Sequence, residues 1–139
     1  VDFNTSRTIN EIAVYAVRDD YTNANDPTDA TVFSIYGIVN FDVQYWNGSG
    51  WATVPGGSVT NNNRVITRIT FPSVTTNRIR VVVNAAQAGY SRIVELEAWS
   101  GGNGGGNPTP SPSPTASPTP SVTPTPGPRT NVALAANGG

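Results

Sequence analysis

Residues 40–54 read NFDVQYWNGSGWATV, and their alternation decides the fold class. Phe41, Val43 and Tyr45 fall on one side of an extended chain, and Asp42, Gln44 and Trp46 on the other. That period of two is what a half-buried strand requires. Asn47-Gly48 follows at once, and a second apolar run opens at Trp51. Asn and Gly both tolerate positive φ, so the pair predicts a tight hairpin.

The same texture extends outward in both directions. TINEIAVYAV (residues 8–17) sets Ile12, Val14 and Ala16 against Ala13, Tyr15 and Val17. RVITRITF, NRIRVVV and SRIVELEAW are three further β-branched segments, separated by PSVTT and NAAQAGY. No window of helical length repeats every 3.6 residues. Short strands divided by Gly, Pro and Asn turns predict an all-β sandwich or jelly roll. Trp46, Trp51, Tyr45 and Trp99 read as strand residues in or near its core. Two loops remain: residues 19–37, long for a compact β domain and hence a functional candidate, and residues 84–90.

Composition narrows the partners. Nine acids nearly balance eight bases, every base is Arg, and charged residues make up only 12% of the chain. No basic cluster exists to hold nucleic acid or an anionic bilayer. No apolar run approaches the roughly 18 residues of a membrane span. The absence of Cys excludes disulfides, thiolate metal sites and thiol nucleophiles. Abundant Ser, Thr, Asn and Gly suit a secreted or surface chain. A start at Val1 rather than Met, with no signal peptide, predicts a segment upstream removed by processing or by the choice of fragment.

From Gly101 the character changes. GGNGGG gives way to a strict alternation in which Thr109, Ser111, Ser113, Thr115, Ser117, Thr119, Ser121, Thr123 and Thr125 occupy every odd position. The even positions between them are Pro, except Ala116 and Val122. Pro fixes φ and pushes its predecessor to extended conformations, so residues 101–130 predict a flexible Gly-rich lead and a polyproline II rod. A two-residue period on a threefold helix spreads those nine hydroxyls around all sides, which suits O-glycosylation of a stalk; a plain spacer is the alternative.

An enzyme is hard to assemble from these residues. There is no His, Lys or Cys, and Glu95 and Glu97, two apart on one face of one strand, are poorly placed to flank a scissile bond from opposite sides. A sugar site needs an aromatic platform and planar hydrogen-bonding groups. Asp19, Asp20, Tyr21, Asn84, Tyr90 and Arg92 supply those types in the two loops. Asn4-Thr5-Ser6 and Asn47-Gly48-Ser49 match the N-glycosylation pattern, but the turn already explains the second.

VDFNTSRTINEIAVY, FDVQYWNGSGWATVPGG, TTNRIRVVV and GYSRIVELEAW together resemble discoidin domains, also called F5/8 type C domains and close to family 32 carbohydrate-binding modules. Over residues 1–100 the resemblance implies a galactose-binding-like jelly-roll β-sandwich of about eight strands, incomplete at its N-terminus. It also implies structural calcium, with Glu95 as a ligand; an ion pair from Glu95 to Arg92 or Arg80 is the competing expectation. NVALAANGG (residues 131–139) resembles the opening of such a domain, so it reads as the first strand of a following copy. A strand donated to a neighbouring sandwich is the second reading.

Three functions follow as expectations. The first is a non-catalytic structural or adhesive repeat of an extracellular, bacterial surface or filament protein, whose partners are copies of itself in a tandem array. The second is a carbohydrate-binding module attached to a secreted enzyme. Catalysis by this chain itself is a distant third.

Overall fold

The computed structural model describes residues 1–101 and the backbone of 130–131. Six strands follow in chain order: β1 (Asp2–Ala16), β2 (Ile38–Trp46), β3 (Trp51–Val59), β4 (Ile66–Ala86), β5 (Ile93–Ser100) and the short β6 (Thr130–Asn131). The only helical element among the described residues is one 3-10 turn, Gln87–Gly89. The all-β expectation holds. The polyproline II rod and the nine Ser/Thr positions lie outside the described residues.

The strand order is β3-β2-β4-β1-β5-β6, with antiparallel neighbours throughout. β4 organises it. Its first half pairs with β1, from Tyr15↔Ile66 to Arg7↔Thr76, and its second half with β2, from Tyr45↔Ile79 to Ile38↔Ala86. One strand therefore serves two ladders, and the fold is sandwich-like. Ile12, Val14, Ile69 and Ala98 from the first ladder join Phe41, Val43, Val54 and Ile79 from the second in a single buried cluster. Burial on this scale is the dominant favourable term in folding.

The sequence predicted two strands, RVITRITF and NRIRVVV, broken by PSVTT. The structure runs through PSVTT without interruption. Pro72 is tolerated because the register shifts there: Thr70 faces Glu11 and Val74 faces Ile9, so residues 71–73 bulge opposite Asn10. A bulge is where a strand can carry a residue without an N–H.

The hairpin after Trp46 forms, by a different device from the one predicted. Trp46 pairs with Trp51 across four residues, and only Gly48 has positive φ, +101°. Asn47 acts through its side chain. Its Oδ1 accepts from Ser49 N (3.0 Å), Ser49 Oγ (3.0 Å) and Gly50 N (2.9 Å). That is an Asx turn. β3 continues beyond ATV through Pro55, Gly56 and Gly57 as an edge strand, bulging opposite Val43.

Candidate functional site

The outer faces of the two ladders and the two loops hold the chain's chemistry. The long loop is not free. Phe33 is buried in the core, and a Cβ at Gly37 would lie 2.2 Å from its ring, so only Gly lets the backbone pass. Asp19, half-buried, fixes the approach to that anchor. Its carboxylate accepts from Ser34 N (2.7 Å), Ser34 Oγ (2.9 Å), Ile35 N (2.9 Å) and Tyr36 N (3.3 Å). Partial burial opposes ionisation, but these donors outweigh it and hold the carboxyl below the usual Asp range. Asp19 is a loop organiser.

The loops converge as a consequence. Gln87 N donates to Gly37 O at 2.9 Å, joining the short loop to the long one. Tyr21 packs edge-on to Tyr36, ring centres 6.4 Å apart, and the Arg92 guanidinium lies 5.0 Å from the Tyr36 ring and 4.5 Å from that of Tyr90. The result is a row: Tyr21, Tyr36, Arg92, Tyr90. Tyr21 is 69% exposed and Tyr90 56%, so both present ring surface to solvent. Three of the six candidate sugar residues, Tyr21, Tyr90 and Arg92, are therefore brought together. Asp20 instead accepts from Thr22 Oγ1 in its own turn (3.1 Å). Asn84 belongs elsewhere, donating to Asp42 Oδ2 at 2.9 Å on the outer face of β2 and β4. Tyr36 was missed, because nothing in FSIYG distinguishes a half-buried loop ring from a core one.

Beside this row a groove of about 790 Å³ opens between the long loop and the ends of β1, β4 and β5, with Tyr21, Arg18, Asp29, Tyr15, Arg68 and Glu95 among its walls. Its floor is an ion network that no sequence motif announces. Arg68 Nε lies 3.1 Å from Asp29, and Nη1 lies 3.6 Å from Glu11 and 3.9 Å from Glu97. Arg68 Nη2 also donates to the Tyr15 hydroxyl (3.2 Å), which donates to Glu97 Oε2 (3.0 Å). Burial, helped by that bond to Glu97, raises the Tyr15 phenol above its ordinary value. Trp99 Nε1 donates to the same Glu97 oxygen at 3.1 Å. Glu97 is thus held by structural partners.

Glu95 is exposed on β5, opposite Tyr15. Among the described residues it pairs with neither Arg92 nor Arg80, and no group of three or more acidic or metal-ligating side chains assembles. Calcium takes six to eight oxygens, so the residues around Glu95 do not fit it.

The second outer face corrects the placement of two tryptophans. Trp46 and Trp51 are half-buried and lie outside the core cluster, on the face opposite Phe41 and Val43. They meet edge-on at 5.6 Å, with Arg78 4.5 Å over Trp46 and Arg80 4.3 Å over Trp51. Arg80 Nε also donates to Gln44 Oε1 at 2.8 Å. The alternation around Trp46 already put it on the polar side; its size argued for the core. Cation–π stacking shows how an outer position accommodates it.

Comparison with known proteins identifies no relative: no family model, curated protein or solved structure matches the chain.

Proposed function

We propose that this chain is a non-catalytic structural or adhesive repeat of a secreted, tandem-domain surface or filament protein. In this reading a discoidin-like jelly-roll sandwich is joined to its neighbours by Pro/Ser/Thr rods carrying O-linked glycans. The observation that carries the reading is β6. Thr130 and Asn131, from the far side of the rod sequence, pair with Ser100 and Trp99 on the edge of β5. Residues beyond the rod sequence are thus part of this chain's own sheet, which in this reading makes the linker a built part of the array. Mass spectrometry of the natively expressed protein tests the rods: hexose-spaced additions on 109–125 are expected. Sedimentation tests the assembly. An unmodified chain that stays monomeric at high concentration overturns the proposal.

A second reading, a carbohydrate-binding module, is favoured by the row Tyr21–Tyr36–Arg92–Tyr90 beside the groove. Stacking on exposed aromatic rings with planar hydrogen-bonding groups at hand is how proteins hold sugars. A glycan array with hits lost in Tyr21→Ala and Tyr90→Ala would support this module over the repeat.

A further inference from the structure

We infer that Asn47 is a site of spontaneous covalent change: the hairpin turn promotes cyclisation of its side chain onto Gly48 N, with loss of ammonia, and leaves aspartate or isoaspartate in its place. Asn47, Gly48 and Ser49 are all exposed at the tip of the β2–β3 hairpin, so water and hydroxide reach the atoms concerned. The inference requires neither the repeat nor the carbohydrate reading.

The electrophile is Asn47 Cγ, and its oxygen is already held by donors. Ser49 N and Ser49 Oγ each lie 3.0 Å from Oδ1, and Gly50 N lies 2.9 Å from it. That oxygen takes up negative charge during attack, and donors preset around it are what stabilise an oxyanion. The nucleophile is Gly48 N. Among the described residues no acceptor holds its hydrogen, whereas the Asn47, Ser49 and Gly50 nitrogens are all engaged. Gly48 has no Cβ to crowd the approach, and its φ of +101° favours that residue. The leaving group, Asn47 Nδ2, likewise has no partner among the described residues. Around these atoms the turn is clamped, by Asn47 N donating to Gly50 O at 3.0 Å and by the Trp46↔Trp51 pair.

The reaction balances with water alone. Hydroxide removes the Gly48 N proton and the N–Cγ bond forms. The Cγ–Nδ2 bond then breaks, and ammonia leaves with a proton taken from water. Water opens the resulting succinimide ring at either carbonyl. Opening at Cγ restores the ordinary main chain with an aspartate. Opening at the backbone carbonyl routes the main chain through Cγ and gives isoaspartate. The two products differ in what they do to the fold. Aspartate keeps an acceptor for the same three donors. Isoaspartate adds a carbon to the main chain of a turn that Trp46 and Trp51 close, and so disturbs the edge-on contact of the two indoles. The hairpin tip thus carries a slow, one-way clock whose hand is the Trp46–Trp51 face.

The test ages the full-length chain at mildly alkaline pH, folded in buffer and unfolded in urea. Peptide mapping by mass and enzymatic methyl labelling of isoaspartate follow position 47. Conversion there is expected to run several-fold faster in the folded chain, and the tryptophan emission should shift in step with the isoaspartate fraction. Ser49→Ala removes one oxyanion donor and should slow conversion several-fold while keeping the native far-UV spectrum. Gly48→Ala should nearly stop it, but strains the turn as well, so Ser49→Ala is the deciding variant. Asn47→Asp, which carries the charge of the ordinary product, should keep the native emission. Conversion no faster in the folded chain than in urea overturns promotion by the turn. An unchanged rate in Ser49→Ala overturns the part given to the Oδ1 donors.

Discussion

Arg68 is the residue on which the first ladder's outer face depends. It reaches toward Asp29, Glu11, Glu97 and Tyr15, and so ties the long loop to β1 and β5. Arg68→Met keeps the stem and removes the charge. With the side chain 35% exposed, solvent screens part of the effect, and a loss of about 1–2 kcal/mol is expected in urea unfolding. Asp19 gives a pH-dependent counterpart. Its folded carboxyl titrates below the ~3.9 of an unfolded Asp, so its stabilisation is full above that value and is lost as pH falls through the folded one. The gap in melting temperature between the native chain and Asp19→Ala should therefore be widest near pH 6–7 and close below about pH 4. Asp19 was visible in the sequence as a polar loop residue suited to a ligand. Its partners Ser34, Ile35 and Tyr36 are fifteen or more residues away, beyond the reach of any local pattern. The same distance hid Arg68, whose partners come from two strands and a loop.

At the level of elements, the β2–β3 hairpin was the most legible part of the chain, because its signals are local: an alternating run, a turn pair, a second run. Asn47→Ala removes the acceptor for three donors and should lower stability by about 1 kcal/mol, measured by thermal melting. Asn47→Asp should retain most of it, since a carboxylate accepts the same bonds. Gly57 is a sharper case. A Cβ there would stand 2.6 Å from Val54 Cγ2 and 2.8 Å from the Val43 and Val54 carbonyl oxygens. Backbone cannot yield as a flexible side chain can. Gly57→Ala should destabilise by about 1–3 kcal/mol, the range for overpacking, while Gly50→Ala, with open space around it, should change little. β4 was the least legible element. Pro72 is ordinarily a breaker, and a bulge that accommodates it depends on the partner strand, which local sequence does not reveal.

Over the whole molecule, β4 makes the two ladders inseparable. Because it pairs with β1 along one half and β2 along the other, neither ladder can unfold and leave the other intact. Tryptophan fluorescence, which reports Trp46 and Trp51 on one ladder and Trp99 on the other, and far-UV circular dichroism should give coincident urea transitions. The fold class was legible from alternation alone, but the meeting of residues 19–37 with 84–90 was not, since it depends on where the strand ends lie in space. Chain order has a further consequence, one of time. β1 is buried on both sides from Ile9 to Val14, yet its partners come late: Ala13 pairs with Arg68 and Glu97. At the roughly 5–20 residues per second of synthesis, about 4–17 s pass between the making of Ala13 and that of Glu97. For that interval the strand with the longest buried run of the domain lacks one of its two neighbours. In a chain of this order the core closes only when β5, the later of the two strands that pair with β1, has been made.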